Sequence, residues 1–180
     1  MGIISSILHR RSVRQYADKP VEKEKVTRCL EAGRLAPSAC NAQPWKFIVV
    51  EKPELTKQVA KTARAELLNM NKFADQAPVI IAIVMEPANV TSTLGSKIKR
   101  KHYPLIDIGI AAEHICLQAT EEGLGSCMIG WLNEKNVKKI LGIPSKRRVP
   151  LLITLGYPEK EGIKDKPRKE FEKVVSYNKY

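Results

Sequence analysis

Aromatic residues are scarce: 6% of a 180-residue chain, with two tryptophans. That leaves no ladder of flat rings on which single-stranded nucleic acid would stack. No apolar run approaches the roughly 20 residues a helix needs to cross a bilayer. The apolar start is broken early by His9, Arg10 and Arg11, so no secretory signal is expected. The cysteines Cys29, Cys40, Cys116 and Cys127 form no C-x-x-C pair and no metal-ligand spacing. Three of them sit in apolar or helical contexts and are expected in the core, in a reducing cytoplasm. The three histidines, His9, His102 and His114, belong to no Ser-His-Asp or Cys-His arrangement and are expected to be structural. No Gly-rich pyrophosphate loop is present. Acidic residues are the scarcer charge, 19 against 31 Lys and Arg, for a net +12. The excess favours anionic ligands. It is scattered, apart from residues 97–101 and 146–148, and reads as a solvated surface rather than a nucleic-acid site.

What is present is enough for one domain. Hydrophobic residues make up 43%, which supports a real core over this length. Residues 3–8 carry Ile3, Ile4, Ile7 and Leu8 on one face of a short helix. Residues 21–35 form a helix with Val26, Cys29, Leu30 and Gly33 on one stripe. Residues 45–50 form a strand, and a helix starts at Pro53 with Leu55, Val59, Ala63 and Leu67 inward. Residues 78–85 are continuously apolar, the mark of a strand buried on both faces. Residues 86–101 are polar and irregular. The helix over 105–122 has Ile108, Ala111, Ala112, Ile115 and Ala119 as its main stripe. Leu105, Ile106, Ile110, Cys116 and Leu117 widen that stripe beyond one face, so a subunit interface is expected there. A short strand at 125–131, a helix at 134–141 and a buried strand at 149–156 follow. The charged tail, 159–180, has only Phe171, Val174, Val175 and Tyr177 as anchors and is expected to dock on a surface.

Two stretches carry candidate chemistry. Residues 36–45 join the second helix to the first strand. Pro37 stops the helix, and Ser38, Asn41 and Gln43 then offer uncharged hydrogen-bonding groups suited to a flat heterocycle. An ordinary loop whose polar groups cap the helix reads the same way. Arg10, Arg11 and Arg14 with the Ser12 hydroxyl could hold a phosphate, because guanidinium groups match its oxygens in pairs. A basic surface turn is the competing reading.

The pieces also occur in one order. They are Arg10-Arg-Ser-Val-Arg14, Pro37-Ser-x-x-Asn41-x-Gln43-Pro44-Trp45, Asp107-x-Gly109, Gly123-Leu-Gly125-x-Cys127, Gly156-Tyr-Pro158 and Lys166-Pro-Arg-Lys169. Together they resemble the nitroreductase family of flavoproteins over nearly the whole chain. The resemblance implies an α+β fold: a mixed, mostly antiparallel sheet flanked by helices, in an intertwined homodimer. It implies a single FMN-binding domain over 1–180, with the 159–180 tail on the partner chain. It implies FMN as cofactor, NADH or NADPH as electron donor, and hydride transfer through flavin N5 to a nitroaromatic, quinone or similar acceptor. Enone reduction, dehalogenation and flavin chemistry occur in the same family, and a non-catalytic basic flavin- or nucleic-acid-binding module is the rival class.

By position, Arg10, Arg11, Ser12 and Arg14 would take the phosphate, ribityl chain and one ring edge. Pro37, Ser38, Ala39 and Asn41, with Gln43 beside them, would reach the same flavin from the partner chain. Asn69 would meet the pyrimidine edge. Met128, Ile129 and Gly130 would lie by the ring with a backbone N–H toward N5. Lys166 and Arg168 would return to the phosphate, with Lys169 as the alternative to Arg168. The chain departs from larger members in the segment over the flavin, here only residues 86–104, so substrate-shaping side chains stay unassigned. No ribose-reading motif separates NADH from NADPH.

Overall fold

The computed structural model describes residues 2–64, 70–87, 101–160 and 166–180. Within them the elements are α1 (Ile3–His9), α2 (Lys23–Arg34), β1 (Trp45–Val50), α3 (Pro53–Thr62), β2 (Val79–Met85), α4 (Tyr103–Glu121), β3 (Gly125–Ile129), α5 (Glu134–Leu141) and β4 (Arg148–Gly156). The strands lie in the order β1-β2-β4-β3. All three pairings are antiparallel. The parallel part of the expected mixed sheet is a single bridge, Ser12 to Ser126, at the β3 edge.

β2 is central and buried on both faces because helices cover both sides of the sheet. Its side chains alternate between two cores, as a pleated strand requires. Val79, Ile81 and Ile83 pack with Val26 and Cys29 of α2 and with Ile108, Ala112, Ile115 and Ala119 of α4. Ile80, Ala82 and Val84 pack with Val59 and Ala60 of α3 and Val137 of α5. Gly33 lets α2 and α4 meet closely, since a Cβ there would lie 2.7 Å from Ile115 Cγ1.

Several boundaries differ from the sequence reading. α2 starts at Lys23, because Glu22 is still extended. α3 ends at Thr62, and the expected Leu67 and Asn69 lie outside the described residues. α4 starts at Tyr103, with Pro104 in its first turn, where a missing N–H costs nothing. The expected burial of Leu105 and Ile106 is not met within one chain; both stay about half exposed. The same holds for Ile3, Ile4, Ile7 and Leu8 on α1 and for Phe171, Val174 and Tyr177 in the tail. Of the cysteines, Cys29, Cys116 and Cys127 are buried and Cys40 is exposed. Among the described residues no helix is long and apolar enough to cross a membrane.

Candidate functional site

Residues 10–17 run along the edge of the sheet, and this places the arginines. The Val13 N–H donates to the Ser126 carbonyl at 2.9 Å, and the Ala17 N–H donates to the Tyr157 carbonyl at 2.9 Å. Gly125 allows the approach: a Cβ there would meet Val13 Cγ2 at 2.7 Å. Arg10 caps α1, its N–H donating to the Ser6 carbonyl at 2.8 Å. Its Nε lies 3.0 Å from Glu113 Oε1 on α4.

Lys166 arrives at the same place from the other end of the chain. Burial holds its ammonium below the usual lysine range, and Arg10, Arg168 and Arg11 push it lower, while Glu113 pulls the other way. Like charges disfavour the protonated form only when they are near. Lys166 therefore stands near enough to Arg10, Arg11 and Arg168 for their charges to act on it. Arg168 Nη1 donates to the Pro167 carbonyl at 3.0 Å. Arg168 and Lys169 are both exposed, and Arg168 is among the charges that act most on Lys166. An anion with several oxygens would relieve the crowding, and a phosphate has the right chemistry.

Arg14 has its guanidinium 5.9 Å from the centroid of Phe73. The Tyr16 N–H donates to Gln76 Oε1 at 3.2 Å. Tyr16 OH and Thr154 Oγ1 are 2.7 Å apart in the interior, and burial raises the phenol above its ordinary range. Burial also pushes Cys116 up to about 11 and Cys29 up to about 12. Cys127 is raised by burial too, opposed by Arg14, Ser12 and Arg10. These thiols stay protonated and unreactive near neutral pH.

The loop after α2 is built differently from its sequence expectation. Ser38 Oγ accepts from the Gln43 N–H at 2.9 Å. Gln43 Nε2 donates to Asn41 Oδ1 at 3.1 Å and to the Asn41 carbonyl at 3.3 Å. The three polar side chains thus close the loop on itself rather than capping α2. Cys40, Asn41 and Gln43 have φ of 53°, 50° and 45°. Left-handed backbone costs a residue with a side chain about 1 kcal/mol, less for Asn. A bond from outside also holds the turn: the Ala39 N–H donates to Asp107 Oδ1 at 3.1 Å.

At the end of β3, Met128 is half-buried, Ile129 is buried and Gly130 is exposed. A Cβ at Gly130 would meet nothing within 4 Å, so the backbone here is open to a neighbour. Asp107 and Glu113 lie six positions apart on α4, about 9 Å along the axis and roughly 120° around it. Within one chain, then, the 37–43 loop and the Arg10 cluster leave α4 in different directions. Sequence reasoning missed Glu113 and Gln76, which are ordinary surface letters, and Phe73, a half-buried aromatic packed against the core. It quoted Asp107 only as a motif letter, although one acid among Ile106, Ile108 and Ile110 signals a buried carboxylate.

Comparison with known proteins follows the same lines. The pattern that defines the nitroreductase family matches residues 7–157. An NADH dehydrogenase of Thermus thermophilus is 27% identical over 184 residues, covering 88% of this chain and 87% of that one. An iodotyrosine deiodinase of Thermotoga neapolitana is 25% identical over 191 residues, covering 95% of both. The structure of an FMN-dependent nitroreductase from Clostridium difficile superposes with a TM-score of 0.79 at 31% identity, covering 98% of this chain and 99% of that one.

Proposed function

The chain belongs to the nitroreductase family, and from that premise we propose that it is an FMN-dependent oxidoreductase. It takes electrons from NADH or NADPH and reduces a small flat acceptor, a nitroaromatic or a quinone. The observation that supports this reading is that Arg10 and Arg11, from the opposite end of the chain, and Arg168 all act on the Lys166 ammonium, a concentration of positive charge suited to a terminal phosphate.

When bound, FMN supplies hydride acceptance and donation at N5. The chain's own residues bind and orient it. Arg10, Arg11, Lys166 and Arg168 neutralise the phosphate, and Glu113 holds the Arg10 guanidinium by its Nε edge. Ser12 takes the ribityl chain. Arg14 offers positive charge where a reduced ring gathers negative charge, a preorganised electrostatic contribution. Pro37, Ser38, Ala39, Asn41 and Gln43 come from a partner chain. Met128, Ile129 and Gly130 line the ring near N5. Asn69 and the 88–100 part of the substrate segment lie outside the described residues.

The partner is a second copy. Exposed Ile3, Ile4, Ile7 and Leu8 on α1, Leu105 and Ile106 on α4, and Phe171 and Tyr177 in the tail are more apolar surface than a lone chain keeps in water. The single domain spans residues 1–180, with the tail on the partner, and it works in the cytoplasm.

A second reading keeps the same flavin site and changes the acceptor. The likeness to the deiodinase over 95% of both chains supports reductive dehalogenation of a halophenol. Purification decides first: a yellow protein releasing FMN by mass spectrometry, bleached by NADH or NADPH, is the expected result. A colourless protein that takes up no flavin on reconstitution overturns the proposal. An anaerobic panel of nitroaromatics, quinones and iodophenols then separates the two acceptors.

A further inference from the structure

We propose that Asp107 is a positioning residue: it latches the strained 37–43 loop into the shape that receives the flavin. Three observations converge on it. First, Asp107 is 3% exposed, in the second turn of α4 among apolar neighbours. A carboxylate is seldom buried there without a use, since burial disfavours its charge. Second, that carboxylate does little in the fold. Its Oδ1 accepts the Ala39 N–H at 3.1 Å, and among the described residues its buried Oδ2 has no hydrogen-bond partner. A residue kept for stability would have both oxygens satisfied. Third, the bond falls where it matters. Ala39 opens the turn, and the next residues, Cys40 and Asn41, have φ of 53° and 50°.

The loop's internal bonds, Ser38 to Gln43 and Gln43 to Asn41, set its own shape. They do not set where that shape sits on the molecule. Asp107 contributes to that placement through a hydrogen bond to the backbone, so it acts regardless of the side chain at position 39. Non-glycine residues stay left-handed only where surrounding structure over-determines them. Without the latch the loop keeps its sequence but samples other positions. The Ala39–Asn41 edge then meets a flat ligand imperfectly, and a misplacement of about 1 Å is enough to weaken such a contact by orders of magnitude.

The inference rests on the proposed flavin role of this loop, and its test separates the two. Asp107→Ala and Asp107→Asn are compared with the parent for amide hydrogen exchange across residues 38–43 without cofactor, for FMN affinity by fluorescence titration, and for Tm. The Asn variant keeps an acceptor for the Ala39 N–H. The expected result is faster exchange over 38–43 in the Ala variant, with FMN affinity lower by roughly ten- to a hundredfold. The Asn variant should recover most of both. Parent-like exchange in the Ala variant overturns the latch. So does parent-like FMN affinity, or an Asn variant as impaired as the Ala one. If both variants fail to fold, Asp107 is a stability residue and the inference also fails. If the parent itself binds no FMN, the flavin reading falls, and the exchange comparison still decides the latch.

Discussion

Arg10 and Glu113 form a pair at 3.0 Å that joins the end of α1 to the middle of α4. The pair is partly exposed and contributes little to stability. Its importance is directional. Glu113 fixes the Arg10 guanidinium by its Nε edge, and the same guanidinium acts on Lys166.

Lys166 gives the site an alkaline limit. Its folded-state pKa is lowered, by burial first and then by Arg10, Arg168 and Arg11. The unfolded chain therefore holds this proton more tightly, and the group disfavours folding less as pH rises toward the ordinary lysine value of 10.5. A bound phosphate reverses the preference by favouring the charged ammonium. FMN affinity should therefore fall as pH rises through the lowered value and beyond. Titrations across alkaline pH should show this fall in the parent and lose it in Lys166→Arg, whose guanidinium does not titrate there. A flat parent profile would exclude Lys166 from the phosphate.

Arg168 and Lys169 should differ. Arg168 is among the charges that lower the Lys166 pKa most, which makes it the better candidate. Removing one charge-assisted bond to phosphate costs about 1.5–3 kcal/mol, roughly ten- to a hundredfold in affinity. Flavin titration of Arg168→Ala should show that loss, and Lys169→Ala should stay near the parent. The opposite ranking would move the late phosphate contact to Lys169.

Gly125→Ala should weaken flavin binding from a distance. The added methyl would sit 2.7 Å from Val13 Cγ2, forcing the 10–17 segment off the β3 edge. Overpacking of this kind costs about 1–3 kcal/mol, and here the displaced segment carries Arg10 to Arg14. A drop in Tm accompanied by a raised FMN Kd is expected. A lower Tm with unchanged Kd would show that the segment shifts without moving the arginines.

Who builds each site can be settled by mixing lesions. Arg10→Ala and Asn41→Ala chains are refolded together and mixed dimers isolated by differential tags. If loop and cluster come from different chains, one site collects both lesions and the other collects none, so one normal flavin site returns per mixed dimer. If each chain builds its own site, every site keeps a lesion and nothing returns.

Much of the fold was legible because its signals are local. The apolar run of β2 announced burial on two faces, and α5 runs over the expected residues, ending at Gly142 with φ of 64°. The proposed anion site was half legible. Arg10, Arg11, Lys166 and Arg168 stood out as charge, but the nearness of Lys166 to the arginines depends on the 10–17 segment docking on the sheet edge, a long-range event. The loop was legible as a set of uncharged hydrogen-bonding groups, but not in its internal wiring. Ser38, Asn41 and Gln43 bond one another across a turn with three left-handed residues. Asp107 was visible as an acid in an apolar helix, yet its partner, a backbone amide, has no letter.

Among the described residues the sheet is complete at Gly156, ten positions before Lys166. If Lys166 and Arg168 join Arg10 at a phosphate, truncation can separate the sheet from the clamp. A chain that stops between the two keeps all four strands and loses the late half of the proposed clamp. Such a chain should fold and stay colourless.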